Sequence, residues 1–152
     1  MPRYLIGIGN ETMTDDGIGP RVADAAAPRA RALGFETVVI GHDTLGLLSY
    51  FDEAASRILF VDCVRMGRTP GDWRLFAPED VATQKVLGRM TTHEGDVLRI
   101  VEMARQLGTA MPRVTILGIE PARVEPGLDL SAALEQRLEE YVQAALAEMR
   151  GP

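Results

Sequence analysis

Leu5-Ile6-Gly7-Ile8-Gly9-Asn10-Glu11-Thr12-Met13-Thr14-Asp15-Asp16-Gly17-Ile18-Gly19-Pro20 decides how this chain is read. The stretch begins as a short apolar run suited to a buried strand. It ends at Pro20, whose fixed φ and missing N–H fit the first turn of a helix. A glycine-rich loop joins the two. Strand, glycine turn and helix are the layout of a dinucleotide-binding unit, whose fingerprint is G-x-G-x-x-G. Gly7 and Gly9 fit it, but Thr12 stands where the third glycine belongs. Asp15 and Asp16 also occupy the approach to the helix N-terminus, the end that attracts anions. Two carboxylates there repel a pyrophosphate and suit a metal cation. The competing reading makes one of them an N-cap, which leaves the other available.

Working outward, the 152 residues suit a single domain over 1–152. That length buries a core without disulfides or a structural metal. The net charge is −6, Lys85 is the sole lysine and no basic cluster occurs, which argues against a nucleic-acid partner. No apolar run reaches the ~18 residues of a bilayer span, so membrane insertion is not expected. The first residues run straight into a strand-like segment with no leader pattern, and the single Cys63 fits a reducing compartment. The expected location is the cytoplasm.

The helix opened by Pro20 carries Val22, Ala25, Ala26 and Leu33, with Pro28 expected to kink it or end it a turn early and Gly34 closing the segment. Thr37–Ile40 reads as a second strand, residues 42–46 as a loop and Leu47–Ala55 as a short helix. Ile58–Val64 is apolar throughout except for Asp62, the signature of a strand covered on both faces. Asp72–Phe76 alternates like an edge strand, and residues 78–90 are mixed. Thr91 and Glu94 have the spacing of a capping box, which puts His93 in the first turn of a helix carrying Val97, Ile100, Val101 and Ala104. Gly108 ends that helix, Val114–Ile119 is the last strand, and Ser131 is expected to cap a final helix. This alternation predicts an α/β fold: three layers, an open, twisted, mostly parallel sheet with one antiparallel edge strand and helices on both faces.

In such sheets ligands bind beyond the carboxyl ends of the strands. Asp16 follows the first strand, Asp62 ends the third and His93 opens a later helix, so topology alone sends all three to one rim. Two carboxylates and an imidazole are a recurrent ligand set for borderline divalent metals, with positions left open for water or substrate. A carboxylate inside an apolar strand needs a partner, which singles out Asp62. Cys63 should face the other side of the strand and reads as core packing, since no base or cation beside it lowers its pKa. Neither a G-x-S-x-G elbow nor H-E-x-x-H is present, Val97 standing where the second histidine would be.

These pieces resemble one family over nearly the whole chain. They are Gly7-Ile8-Gly9-Asn10 with Asp15-Asp16-Gly17-Ile18-Gly19, Thr44-Leu45-Gly46, Val61-Asp62 with Gly67 and Pro70-Gly71, His93, and Gly118-Ile119-Glu120-Pro121 with Glu125-Pro126-Gly127-Leu128. The chain resembles the hydrogenase maturation endopeptidases, which trim the large subunit of nickel-iron hydrogenases. The resemblance implies removal of a C-terminal extension from the large-subunit precursor after nickel insertion, with the precursor's nickel as the recognised feature. It carries Asp16, Asp62 and His93 over as metal-contacting and catalytic residues. Gly9, Asn10, Asp15, Asp43, Thr44 and Gly46 become candidates for contact with the precursor. Zinc or cadmium is expected to substitute for nickel in vitro. The chain departs from the pattern at Gly41, where relatives often carry an acid just before the Thr-x-Gly loop, and at Glu11 and Thr12, which replace commonly apolar residues.

The resemblance thus implies a metal-dependent, nickel-recognising endopeptidase. An alternative is a nickel-binding, chaperone-like module for hydrogenase assembly without proteolysis. A nucleotide-binding domain is disfavoured by the missing glycine and the added acids.

Overall fold

The apolar runs at residues 5–8, 58–61 and 116–119 form three adjacent parallel strands, and the rest of the chain is laid around them. A computed structural model of the chain describes residues 2–41, 44–51, 55–80, 96–108 and 111–150, with the side chains at 44, 45 and 96 excepted. The strands are β1 (Arg3–Ile8), β2 (Glu36–Ile40), β3 (Arg57–Cys63), β4 (Trp73–Phe76) and β5 (Arg113–Ile119). Their order across the sheet is β2-β1-β3-β5-β4. The first four in that order are parallel, with Ile6 beside Val38 and Phe60, and Phe60 beside Ile116. β4 runs antiparallel on the edge, Trp73 opposite Ile119. The expected architecture is therefore the one observed.

Helices among the described residues include α1 (Ile18–Ala30), α2 (Asp96–Gln106), α3 (Ala132–Glu135) and α4 (Leu138–Arg150). Alternation along each strand sends neighbouring side chains to opposite faces and so divides the core in two. Leu5, Leu59, Val61, Leu117 and Ile119 pack with Val22 and Ala26 of α1 and with Tyr141, Val142 and Ala145 of α4. Ile6, Ile8, Ile58, Phe60 and Ile116 pack on the other face with Ile100, Val101 and Ala104 of α2, and with Leu47 and Phe51. At the amino end of the sheet, buried Arg57 pairs with Glu148, which also accepts the Thr115 hydroxyl at 3.2 Å and so ties the end of α4 to β3 and β5.

Past Pro28 the α-helix ends a turn early: α1 stops at Ala30 and passes into a 3-10 turn at Arg31–Leu33 before Gly34, at φ 82°, closes the segment. A proline this near the helix end removes one backbone bond of the last turns, and the flanking turns compensate. Some local details depart from these expectations. Residues Thr44–Tyr50 form a 3-10 stretch, so the helix read over Leu47–Ala55 begins as a tighter turn, and residues 52–54 of it lie outside the described residues. The final helix is broken into α3 and α4, and Ser131, at its N-cap, makes no side-chain capping bond. The capping-box pair Thr91 and Glu94 lies outside the described residues.

Candidate active site at the carboxyl rim of the sheet

The chain leaves β1 toward β2 on one side and reaches β3 on the other, so its direction of winding reverses between β1 and β3. Ligands of open α/β sheets sit at such a reversal, beyond the carboxyl ends of the strands. Asp16 follows β1 and Asp62 lies at the end of β3, so both flank this point. Asp16 is 6 % exposed and Asp62 1 %.

Glycines make the approach possible. A Cβ on Gly19 would stand 2.3 Å from the Val61 carbonyl oxygen and 2.4 Å from that of Ile8. The first turn of α1 is thus pressed onto the ends of β3 and β1 together. A Cβ on Gly7 would meet the Gly19 carbonyl oxygen at 2.3 Å, and one on Gly9 the Asp16 carbonyl oxygen at 2.0 Å. The close helix–strand approach that a dinucleotide fold assigns to its third glycine is made here by Gly19. Thr12 at the fingerprint position therefore does not prevent it.

Neither aspartate caps α1. Thr14–Gly17 form a 3-10 turn, the N-cap position of α1 is Gly17, and no side chain bonds there. The Asp16 carboxylate instead accepts the Asn10 backbone N–H at 3.0 Å. Asn10 secures the loop further, its side-chain oxygen accepting the Thr12 backbone N–H at 2.9 Å and the Thr12 hydroxyl at 2.6 Å. Asp62 accepts the Cys63 backbone N–H at 2.8 Å. Strand alternation puts Asp62 on the face of β3 that bears Phe60 and α2, whereas Cys63 joins the α1 and α4 side of the core. Burial pushes the Cys63 thiol well above its ordinary range, and the negative charges of Asp62, Asp16 and Asp15 push it in the same direction. Those acids therefore lie within electrostatic reach of one sulfur. A thiol so disfavoured as thiolate is packing material, not a nucleophile.

Asp15 faces elsewhere. Its side chain is wholly buried and accepts four hydrogen bonds: from the backbone N–H groups of Ala122 at 2.9 Å, Arg123 at 3.1 Å and Ser131 at 2.7 Å, and from the Ser131 hydroxyl at 2.8 Å. This explains why Ser131 does not cap its helix. Thr14 completes the join from a left-handed backbone (φ 46°), strained for a β-branched residue. Its N–H reaches the Gly127 carbonyl at 3.0 Å, and its hydroxyl donates to the Arg123 carbonyl at 3.0 Å and accepts the Glu125 N–H at 3.1 Å. Sequence reading made Asp15 a candidate for contact with a client. The structure gives both its oxygens to residues 122–131, which joins the two rim loops.

Glu120 follows β5 directly and precedes Pro121. Its buried carboxylate accepts the backbone N–H groups of Met66 at 2.8 Å and Arg68 at 2.9 Å, fixing the loop after β3. An acid directly after an apolar strand and directly before a proline was the available signal. Of the remaining candidates, Gly9 donates its N–H to the Ile40 carbonyl at 3.3 Å, and the Gly46 carbonyl accepts the Ser49 hydroxyl at 2.8 Å. Thr44 begins the 3-10 stretch. His93 and Asp43 lie outside the described residues. Among the described residues, no three histidine, cysteine or carboxylate side chains stand together closely enough to hold a metal ion. No helix among them is long and apolar enough to cross a membrane.

Comparison with known proteins gives one consistent result. The family model described as hydrogenase maturation protease matches residues 34–148. The chain is 32 % identical over 150 residues to the hydrogenase 3 maturation protease of Escherichia coli K12, covering 91 % of this chain and 90 % of that protein. It is 28 % identical over 149 residues to the hydrogenase expression/formation protein HupD of Rhodobacter capsulatus, covering 96 % and 70 %. Among solved structures, the hydrogenase maturating endopeptidase HybD from E. coli superimposes with a TM-score of 0.81 at 21 % identity, covering 99 % of this chain and 93 % of that one. The chain belongs to the hydrogenase maturation protease family.

Proposed function

We propose that this peptidase removes a C-terminal extension from the large-subunit precursor of a nickel-iron hydrogenase once nickel is in place, and that the precursor's nickel is what it recognises. The observation that carries the reading is Asp62, a buried carboxylate ending an otherwise apolar strand, flanked across the winding reversal by the buried Asp16. A buried carboxylate is costly unless it is hydrogen-bonded or meets a cation, and such groups gather at functional sites.

In this reading Asp16, Asp62 and His93 are the side chains offered to the metal, and nickel arrives with the client. Carboxylate and imidazole donors suit nickel among the borderline divalent ions. When bound, the ion would polarise the scissile carbonyl as a Lewis acid. The chain's own part is positioning. The Asn10 N–H holds the Asp16 carboxylate, the Cys63 N–H holds that of Asp62, and the Asp15 and Glu120 clamps keep the surrounding loops fixed. Oriented supports of this kind are what a ligand set needs to act reproducibly.

The test compares nickel-loaded precursor with metal-free precursor, read by the mass of the large subunit. The expected result is loss of a C-terminal peptide from the loaded form alone. Equal processing of both forms would remove nickel from recognition. Binding of the loaded form without any mass change would favour the chaperone-like alternative.

A further inference from the structure

Leu128 is 78 % exposed, yet it sits on a firmly held loop. Its neighbour Gly127 donates its N–H to the Thr12 carbonyl at 2.9 Å and accepts the Thr14 N–H at 3.0 Å. Asp15 binds the same loop on both sides of Leu128, at Ala122 and Arg123 and at Ser131. Fraying therefore does not explain an exposed leucine here. The side chain borders a cleft of about 210 Å³ lined by Glu11, Thr14, Gly17, Arg21, Leu128 and Leu130. Leu130 is buried and gives the cleft an apolar wall.

Two lining residues are chain neighbours of the candidate active site. Glu11 directly follows Asn10, whose N–H holds the Asp16 carboxylate, and Gly17 directly follows Asp16. Sites for whole small molecules run upward of about 300 Å³, so this one suits a single side chain better. Its one guanidinium, Arg21, is paired with both oxygens of Glu135 at 3.1 and 3.2 Å, and the other charged lining residue is Glu11. That balance disfavours an anionic guest. We propose that this cleft, with Leu128 at its mouth, receives one apolar side chain of the polypeptide being processed and sets the register of that chain against Asp16. The proposal rests on the peptidase reading above and adds a specificity subsite to it.

The test measures binding and processing of a nickel-loaded large-subunit precursor by wild type, Leu128→Asp and Leu128→Met, with Leu107→Asp as a control for added surface charge. Leu107 is 70 % exposed just beyond α2 and lines no part of the cleft. Burial of one leucine is worth roughly tenfold to a hundredfold in affinity. Leu128→Asp should weaken precursor binding and raise KM by that range. Leu128→Met should restore both to within about threefold, as a conservative apolar swap does. Leu107→Asp should match wild type. Unchanged KM and binding in Leu128→Asp would overturn the proposal. So would a wild-type dimer that this variant converts to monomer, since a second copy would then cover the leucine. Wild-type chain that binds the precursor without cutting it defeats the peptidase reading alone, and the binding of Leu128→Asp still decides the subsite. Wild-type chain that does neither overturns both.

Discussion

Ser131 holds Asp15 at both carboxylate oxygens: its backbone N–H reaches Oδ1 at 2.7 Å and its hydroxyl reaches Oδ2 at 2.8 Å. Through this contact the loop that carries Asp16 and the loop that carries Leu128 become one unit. An amide at position 15 keeps the shape but aims N–H donors at donors. Leaving such buried groups unsatisfied costs about 1–3 kcal/mol each. Asp15→Asn should therefore lower stability by roughly 2–4 kcal/mol in urea unfolding. It should also reduce processing, because the clamp steadies the loop that carries Asp16. Stability within about 0.5 kcal/mol of wild type would show that the loops are joined by other means.

Gly19 is the contact that brings α1 onto the strand ends. An added methyl would meet two backbone oxygens, those of Val61 and Ile8, neither of which can swing aside as a side-chain tip would. Gly19→Ala should displace the first turn of α1 and move Asp16 away from Asp62. We expect a loss of roughly 1–3 kcal/mol, the usual cost of overpacking, and a fall in activity larger than the stability change accounts for. Full activity at unchanged thermal midpoint would contradict the close approach.

Tyr141 gives a pH signature. Its hydroxyl is buried and donates to the Gly71 carbonyl at 2.7 Å. Burial raises its pKa from the ordinary 10.0 to about 12. The folded state thus favours the neutral phenol. This contribution is fully present below pH 10 and is lost as pH rises toward 12. Tyr141→Phe should lose about 1 kcal/mol at neutral pH with the hydrogen bond, and show a shallower decline above pH 10. Equally steep alkaline limbs in the two proteins would assign the decline to other groups.

The parts of the fold that were legible are those that local pattern determines. Apolar runs at β1, β3 and β5 announced central parallel strands, and alternation over Asp72–Phe76 announced the antiparallel edge. Asp62 stood out because an acid within such a run is costly. What stayed hidden depends on contacts between distant segments. The 3-10 turn Thr14–Gly17 and the left-handed Thr14 are held by residues more than a hundred positions away, so no window around them reveals their shape. The same contact diverts Ser131 from capping, a reversal that Ser followed by a helical stripe does not signal. Glu120 clamps the loop after β3 through the backbone N–H groups of Met66 and Arg68, contacts that no local pattern in the sequence announces.

The central claim is that Asp62 meets the client's metal, and the most direct measurement is the mass of nickel-loaded large-subunit precursor after incubation with wild type and with Asp62→Asn. An asparagine oxygen still accepts the Cys63 N–H, and the variant's fold is verified by its circular dichroism spectrum. The account predicts that wild type shortens the precursor by its C-terminal peptide and that folded Asp62→Asn leaves it intact. Cleavage by Asp62→Asn at the wild-type rate would contradict it.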